Sequence, residues 1–313
     1  MKRILNIIAF PVLFLYSCSN SLNPYAPARP RYILNGIIRN DTSFQVVTIT
    51  ESYRPSNFNP STDTEDVSIK GAEVNIWYND TLYALRDSSI NRIDTSRYTS
   101  KVNFYYCNNL KPGPNADIEI QALLPNGLLL SSVIRTPDVE NDFFDPASVT
   151  VFDPTQISQV YVGWKDLGNV YYAPKISIIY YQKGDTSQKE ISVPLNYVNQ
   201  NGNLVPNYPQ PTKINFFNID LSTINQVMSS IAGSDKNKSD FTVSKMMVDL
   251  IVYDSNLSTY FSSLQQSIDG FTVQLDASDY SNITGGFGIF GSYYKVSYRI
   301  DITRAYINSF GYN

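Results

Sequence analysis

Two of the 313 side chains carry a thiol, Cys18 and Cys107, and none carries an imidazole. Without histidine, the Ser-His-Asp and Cys-His arrangements that activate a nucleophile cannot be built. Zinc sites that use imidazole fall on the same ground. Remaining chemistry must come from carboxylates, Lys, Tyr or Ser, or from modification of a cysteine. Cys107 ends the run Val102-Asn103-Phe104-Tyr105-Tyr106-Cys107 and reads as a buried thiol packing like a small apolar residue. With Cys18 modified, no disulfide within one chain is possible. No short motif nominates a catalytic residue, a metal ligand or a cofactor.

Cys18 has different surroundings. Met1-Lys2-Arg3 precedes an apolar run from Ile4 to Tyr16, broken by Asn6 and Pro11. That run falls short of the roughly 20 residues of a spanning helix and has the shape of a signal peptide. It ends in Leu15-Tyr16-Ser17-Cys18, which resembles the bacterial lipobox. The resemblance implies cleavage after Ser17 and a diacylated Cys18. Each buried acyl CH₂ contributes roughly 0.8 kcal/mol, so several chains hold a protein on a bilayer. Residues 18–30 contain Pro24, Pro27 and Pro30 and no apolar period, as an extended tether would. Ser19 is not the Asp associated with inner-membrane retention, so an outer-membrane address is expected. No acidic cluster follows Cys18, which leans toward the periplasmic leaflet without fixing it.

Removing residues 1–17 takes Lys2 and Arg3 and moves the formal net charge from −4 to −6. That balance disfavours nucleic acid as a partner. A mature body of this length exceeds one comfortable core, so two domains are expected. The 24 Tyr and 16 Phe favour strands and can also line a binding face.

Periodicity predicts the elements. Residues 31–137 give seven or eight short strands with turn signals, the spacing of an immunoglobulin- or fibronectin-like β-sandwich. In Gly71-Ala72-Glu73-Val74-Asn75-Ile76-Trp77-Tyr78, the residues Ala72, Val74, Ile76 and Tyr78 share one face. Asn79-Asp80 turns the chain, and Pro125-Asn126-Gly127 joins a hairpin. The acidic, non-periodic stretch 138–147 (Asp138, Glu140, Asp142, Asp145) is expected to be a linker. Residues 148–313 read as a second β-rich domain with two short helices. One lies near 221–231, capped by Asp220 or Ser222. The other lies near 256–267, capped by Ser255. Residues 199–211 read as a long loop. The fold class is therefore mainly β.

Asn282-Ile283-Thr284-Gly285-Gly286-Phe287-Gly288-Ile289-Phe290-Gly291-Ser292-Tyr293 concentrates four glycines among aromatics. Gly285, Gly286, Gly288 and Gly291 permit positive φ or close approach of another backbone, as a structural loop would use them. No strand-then-helix context or Lys-Ser closure makes it a nucleotide loop. With "YILNGII", "GAEV", "LKPG" and "VDLIVYDSNLSTYFSSLQQ" in the same order, the segment resembles the Bacteroidota lipoproteins grouped as domain of unknown function 4249. That resemblance covers nearly the whole mature chain. It implies no catalytic residues, and it implies companionship with TonB-dependent outer-membrane transporters.

Other candidates read as structure. Asp235 to Asp240 echoes a calcium loop but lacks its central glycine, and Met246 stands where the bidentate Glu belongs. Tyr171-Tyr172 and Tyr180-Tyr181 could stack on sugars or peptides, with alternation placing one of each pair outside. The expected function is a non-catalytic binding or accessory lipoprotein, held on a bilayer by Cys18. Two alternatives are a glycan-binding surface lipoprotein, marked by exposed aromatics on one face, and a carboxylate-dependent hydrolase, marked by two perturbed carboxylates in a cleft.

Overall fold

The structure, a computed structural model, describes residues 30–52, 66–96, 100–234, 237–266 and 280–313. Eight strands build the first half: β1 (Tyr32–Arg39), β2 (Gln45–Glu51), β3 (Glu73–Tyr78), β4 (Thr81–Ala84), β5 (Arg86–Ile90), β6 (Val102–Cys107), β7 (Asp117–Leu123) and β8 (Leu129–Arg135). Their burial alternates, as in β7, where Ile118, Ile120 and Ala122 point inward and Glu119 and Gln121 outward. Strands β4-β3-β7-β8 form one sheet, and β1-β2-β6-β5 belong to another. Leu34, Ile38, Val47, Ile76, Ile120 and Leu130 fill the space between as one core. The fold is mainly β, with a β-sandwich in this half.

The second half adds β9 (Val151–Phe152), β10 (Gln159–Gly163), β11 (Tyr172–Gln182), β12 (Lys189–Ser192), β13 (Asn196–Gln200), β14 (Asn203–Asn207) and β15 (Phe216–Asp220). Helix α1 (Leu221–Ser230), β16 (Phe241–Tyr253), α2 (Ser255–Gln266), β17 (Phe287–Ile302) and α3 (Arg304–Ser309) complete it. The two expected helices stand within one residue of their expected bounds, since their apolar stripes recur at helical spacing. Helix α3 is an addition. Its buried Tyr306 and Ile307, with Tyr312 beyond it, belong to the second core, and the Tyr312 hydroxyl donates to the Met228 carbonyl at 2.7 Å.

One nine-stranded sheet runs through both halves in the order β12-β11-β16-β17-β1-β2-β6-β5, with β9 also on β17. The sixteen residues of β17 make this possible. One edge of β17 pairs antiparallel with β16. The other pairs parallel with β1 over Phe287–Tyr293 and with β9 over Asp301–Ile302. Residues 31–313 accordingly form one compact unit. The two cores divide near the expected boundary, yet Ile283 and Phe290 from the far end of the chain sit in the first one.

Two further expectations are corrected. The stretch 138–147 is packed down: Val139 and Phe143 are buried in the second core, and Phe144 bridges to Trp164. Its acidic residues alternate with apolar ones that anchor it. The loop at 199–211 contains a hairpin, β13 with β14, turned at Asn201 (φ 53°) and Gly202 (φ 87°). Asn-Gly is the dipeptide that such a two-residue turn selects. The run Phe271-Thr272-Val273-Gln274-Leu275, whose sequence predicts a strand after the second helix, lies outside the described residues.

Candidate functional site

The glycine-rich segment is mostly strand rather than loop, because β17 begins at Phe287 and contains Gly288 and Gly291. Each glycine marks a close approach. Gly285 has φ +84°, and a Cβ there would overlap the Leu129 carbonyl oxygen. A Cβ on Gly286 would lie 2.7 Å from the Tyr32 carbonyl. Gly288, at φ +112°, would drive a Cβ into the Leu34 carbonyl. A Cβ on Gly291 would stand 3.2 Å from that of Leu257. Between these contacts Thr284 exchanges backbone hydrogen bonds with Ser131 at 2.8 and 3.0 Å, capping the edge of β8. The segment thus fastens the small sheet, β1 and α2 together.

Helix α2 is held from the same strand. Its cap is Asp254, not the expected Ser255. The Leu257 N–H donates to Asp254 Oδ1 at 2.7 Å. Ser292 gives Oδ2 its backbone N–H at 2.6 Å and its hydroxyl at 2.9 Å. Asp254 is 2% exposed. Burial pushes its carboxyl up to about 6 against the opposing pull of these donors. The group is committed to structure. Cys107 is likewise buried, with its thiol pushed upward by burial.

The small sheet offers a different kind of face. Val74 and Ile76 point into the core, so Asn75 and Trp77 point away. Register places Leu82 beside Trp77 on one side and Glu119 on the other, with Val133 beyond Glu119. The parallel row is Asn75, Gln121 and Ser131. Gln121 donates to Glu119 at 2.7 Å and fixes that carboxylate beside the indole. Two turns rise at the end of this floor. One is Asn79-Asp80, both residues at positive φ. The other is Pro114 to Asp117, where Asn115 accepts from Arg135 at 2.8 Å. They enclose an open cleft of about 870 Å³. Trp77, Asn79 and Asp80 are among the residues that line it.

A second depression, about 400 Å³, follows the outer face of β1. Arg31 lies over the Phe287 ring at 5.0 Å there, beside Tyr260 and Tyr280.

The other sequence candidates are dispersed. Tyr171 and Tyr172 are both buried, correcting the expectation that one faces out. Tyr171 precedes β11 and packs edge-on against Phe261 at 5.1 Å, while the Leu167 N–H donates to the Tyr172 hydroxyl at 2.7 Å. Tyr181 is exposed. Asp138, Glu140, Asp142 and Asp145 do not converge, and among the described residues no three His, Cys, Asp or Glu come together as metal ligands. Cys18 and the expected signal peptide lie outside the described residues. The cleft was not foreseen, although the alternation that buries Val74 and Ile76 already turns Trp77 outward.

A family model described as Domain of unknown function (DUF4249) matches residues 21–299. The chain belongs to this family. The DUF4249 match contains the cleft, the glycine-rich segment and all but the last three residues of β17. A search of curated proteins finds no match to the chain.

Proposed function

We propose that this DUF4249 protein is a lipid-anchored protein of the outer membrane that binds without catalysis and serves as an accessory to a TonB-dependent transporter. The anchor is a diacylglycerol on Cys18, in the Leu15-Tyr16-Ser17-Cys18 setting. Residues 18–30 tether it to the body that starts at Arg31.

The observation that carries the accessory role is the β13–β14 hairpin. It forms a sheet of its own, and nine of its ten strand residues are exposed. No Asp, Glu, Lys or Arg occurs from Ile191 to Thr212. Val198, Leu204 and Tyr208 are exposed along it. An isolated two-stranded hairpin is marginal in water, and an uncharged edge is a template for pairing with another chain. A partner surface that covers this arm resolves both problems.

The test is affinity capture of the mature lipoprotein from solubilised outer membranes, beside a variant carrying Leu204→Lys and Val198→Lys. The proposal expects a TonB-dependent transporter to co-purify with the first and to be depleted with the second. Absence of any such transporter, or equal recovery with both, contradicts it.

A further inference from the structure

We infer that the cleft over Trp77 is a carbohydrate site that takes a short oligosaccharide chain across the strands of the small sheet. The inference rests on the non-catalytic binding reading, and it is independent of the lipid anchor and of any partner.

Sugar rings present two kinds of surface: axial C–H patches on their faces and hydroxyls around their edges. A binder needs a flat ring for the first and fixed acceptors and donors for the second. Trp77 supplies the ring, held on a strand rather than on a loop. Glu119 is its direct cross-strand neighbour, and Gln121 orients that carboxylate at 2.7 Å. Cross-strand neighbours on one face stand about 4.5–5.5 Å apart, which puts an acceptor beside the edge of a ring stacked on the indole. Asp80 and Asn79 line the cleft from the turn. Carboxylates and amides read vicinal hydroxyl pairs because each offers two adjacent polar atoms.

The dimensions suit a chain rather than a single sugar. The row Leu82, Trp77, Glu119, Val133 crosses four strands. Three interstrand spacings amount to about 14 Å. The cleft is open rather than enclosed, so an oligosaccharide can lie across it with both ends in solvent.

A basic peptide is the rival occupant, since indole and carboxylates also attract cations. The lining argues against it. Asp117 already faces Arg135 at 3.7 Å, and the amides of Asn79, Asn115 and Gln121 equal the carboxylates in number.

The chain has two tryptophans, Trp77 and Trp164, and Trp164 is buried. Ligand in the cleft is therefore reported by Trp77 emission. The experiment uses the mature lipoprotein in a detergent without a sugar headgroup, titrated with maltohexaose, cellohexaose, xylohexaose, mannohexaose, chitohexaose and, as the rival, hexalysine. At least one hexasaccharide is expected to change emission saturably, with its monosaccharide far weaker. Trp77→Ala is expected to abolish the emission change and to weaken calorimetric affinity by at least about tenfold. Glu119→Gln, which preserves size and sheet position, is expected to weaken it severalfold with unchanged far-ultraviolet circular dichroism. No saturable response to any hexasaccharide, full affinity in both variants, or preferential binding of hexalysine overturns the inference. Loss of transporter capture alone leaves it intact.

Discussion

The Asp254 carboxylate accepts both the backbone N–H and the hydroxyl of Ser292, at 2.6 and 2.9 Å, across 38 residues of sequence. The same carboxylate caps α2 through Leu257. One buried group thus ties the start of a helix to the middle of the longest strand. Asp254→Ala removes the cap and leaves two Ser292 donors unpaired in a closed site. Losing a cap costs about 1 kcal/mol and each orphaned buried donor about 1–3 kcal/mol. Denaturant unfolding of the variant is expected to show a loss of about 2–4 kcal/mol. A loss below about 0.5 kcal/mol, the range of ordinary surface changes, contradicts this role.

The same carboxyl gives stability a pH signature. It titrates near about 6 in the folded chain and near about 3.9 when unfolded. The folded state therefore holds the proton more tightly, and its contribution is fully present below about pH 4. It is lost as pH rises through about 6 and amounts to about 2–3 kcal/mol. The wild type minus Asp254→Asn difference in unfolding free energy, measured from acid to neutral pH, is expected to fall across that window. A flat or rising difference is the opposing result.

Glycine substitutions are expected to separate by backbone contact rather than by φ alone. Gly127 has φ +84° with nothing within 4 Å of a Cβ, whereas Gly288 meets the Leu34 carbonyl. Gly127→Ala is expected to cost about 1–2 kcal/mol, the penalty of the left-handed region. Gly288→Ala adds displacement of the β1–β17 pairing, and a thermal melt is expected to place it well below Gly127→Ala. Equal melting temperatures contradict the fastening role of the segment.

Phe290 offers a third handle on the joint between the halves. It is fully buried in the first core, although it belongs to the last strand. Truncating such a ring costs about 3–5 kcal/mol. Phe290→Ala is expected to lower the stability of the whole body in one transition, because residues 31–313 form one unit. Two separated transitions contradict that coupling.

Much of this was legible locally. The alternation in Ile118-Glu119-Ile120-Gln121-Ala122 and the stripes of α1 and α2 depend on neighbours within a turn or a strand. The parallel pairing of β1 with β17 was not legible: Asn35 accepts from the Ile289 N–H across 254 residues, and no local period encodes such a contact. The capping residue of α2 was misplaced by one, because Ser255 and Asp254 are both good caps and only the distant Ser292 discriminates. The β13–β14 hairpin was missed although Asn201-Gly202 announces it, since prolines and asparagines around the turn imitate an irregular loop. Trp77 could be placed outside from its own strand. The cleft walls could not, because Pro114 to Asp117 come from another part of the chain.

The proposed outer-membrane role depends on a lipid at Cys18, and intact mass spectrometry of the mature protein purified from membranes tests that most directly. The predicted result is a chain beginning at residue 18, with a diacylglyceryl group on the first residue that is released by lipase treatment. A chain with an unacylated N-terminus, or one starting at another residue, contradicts it.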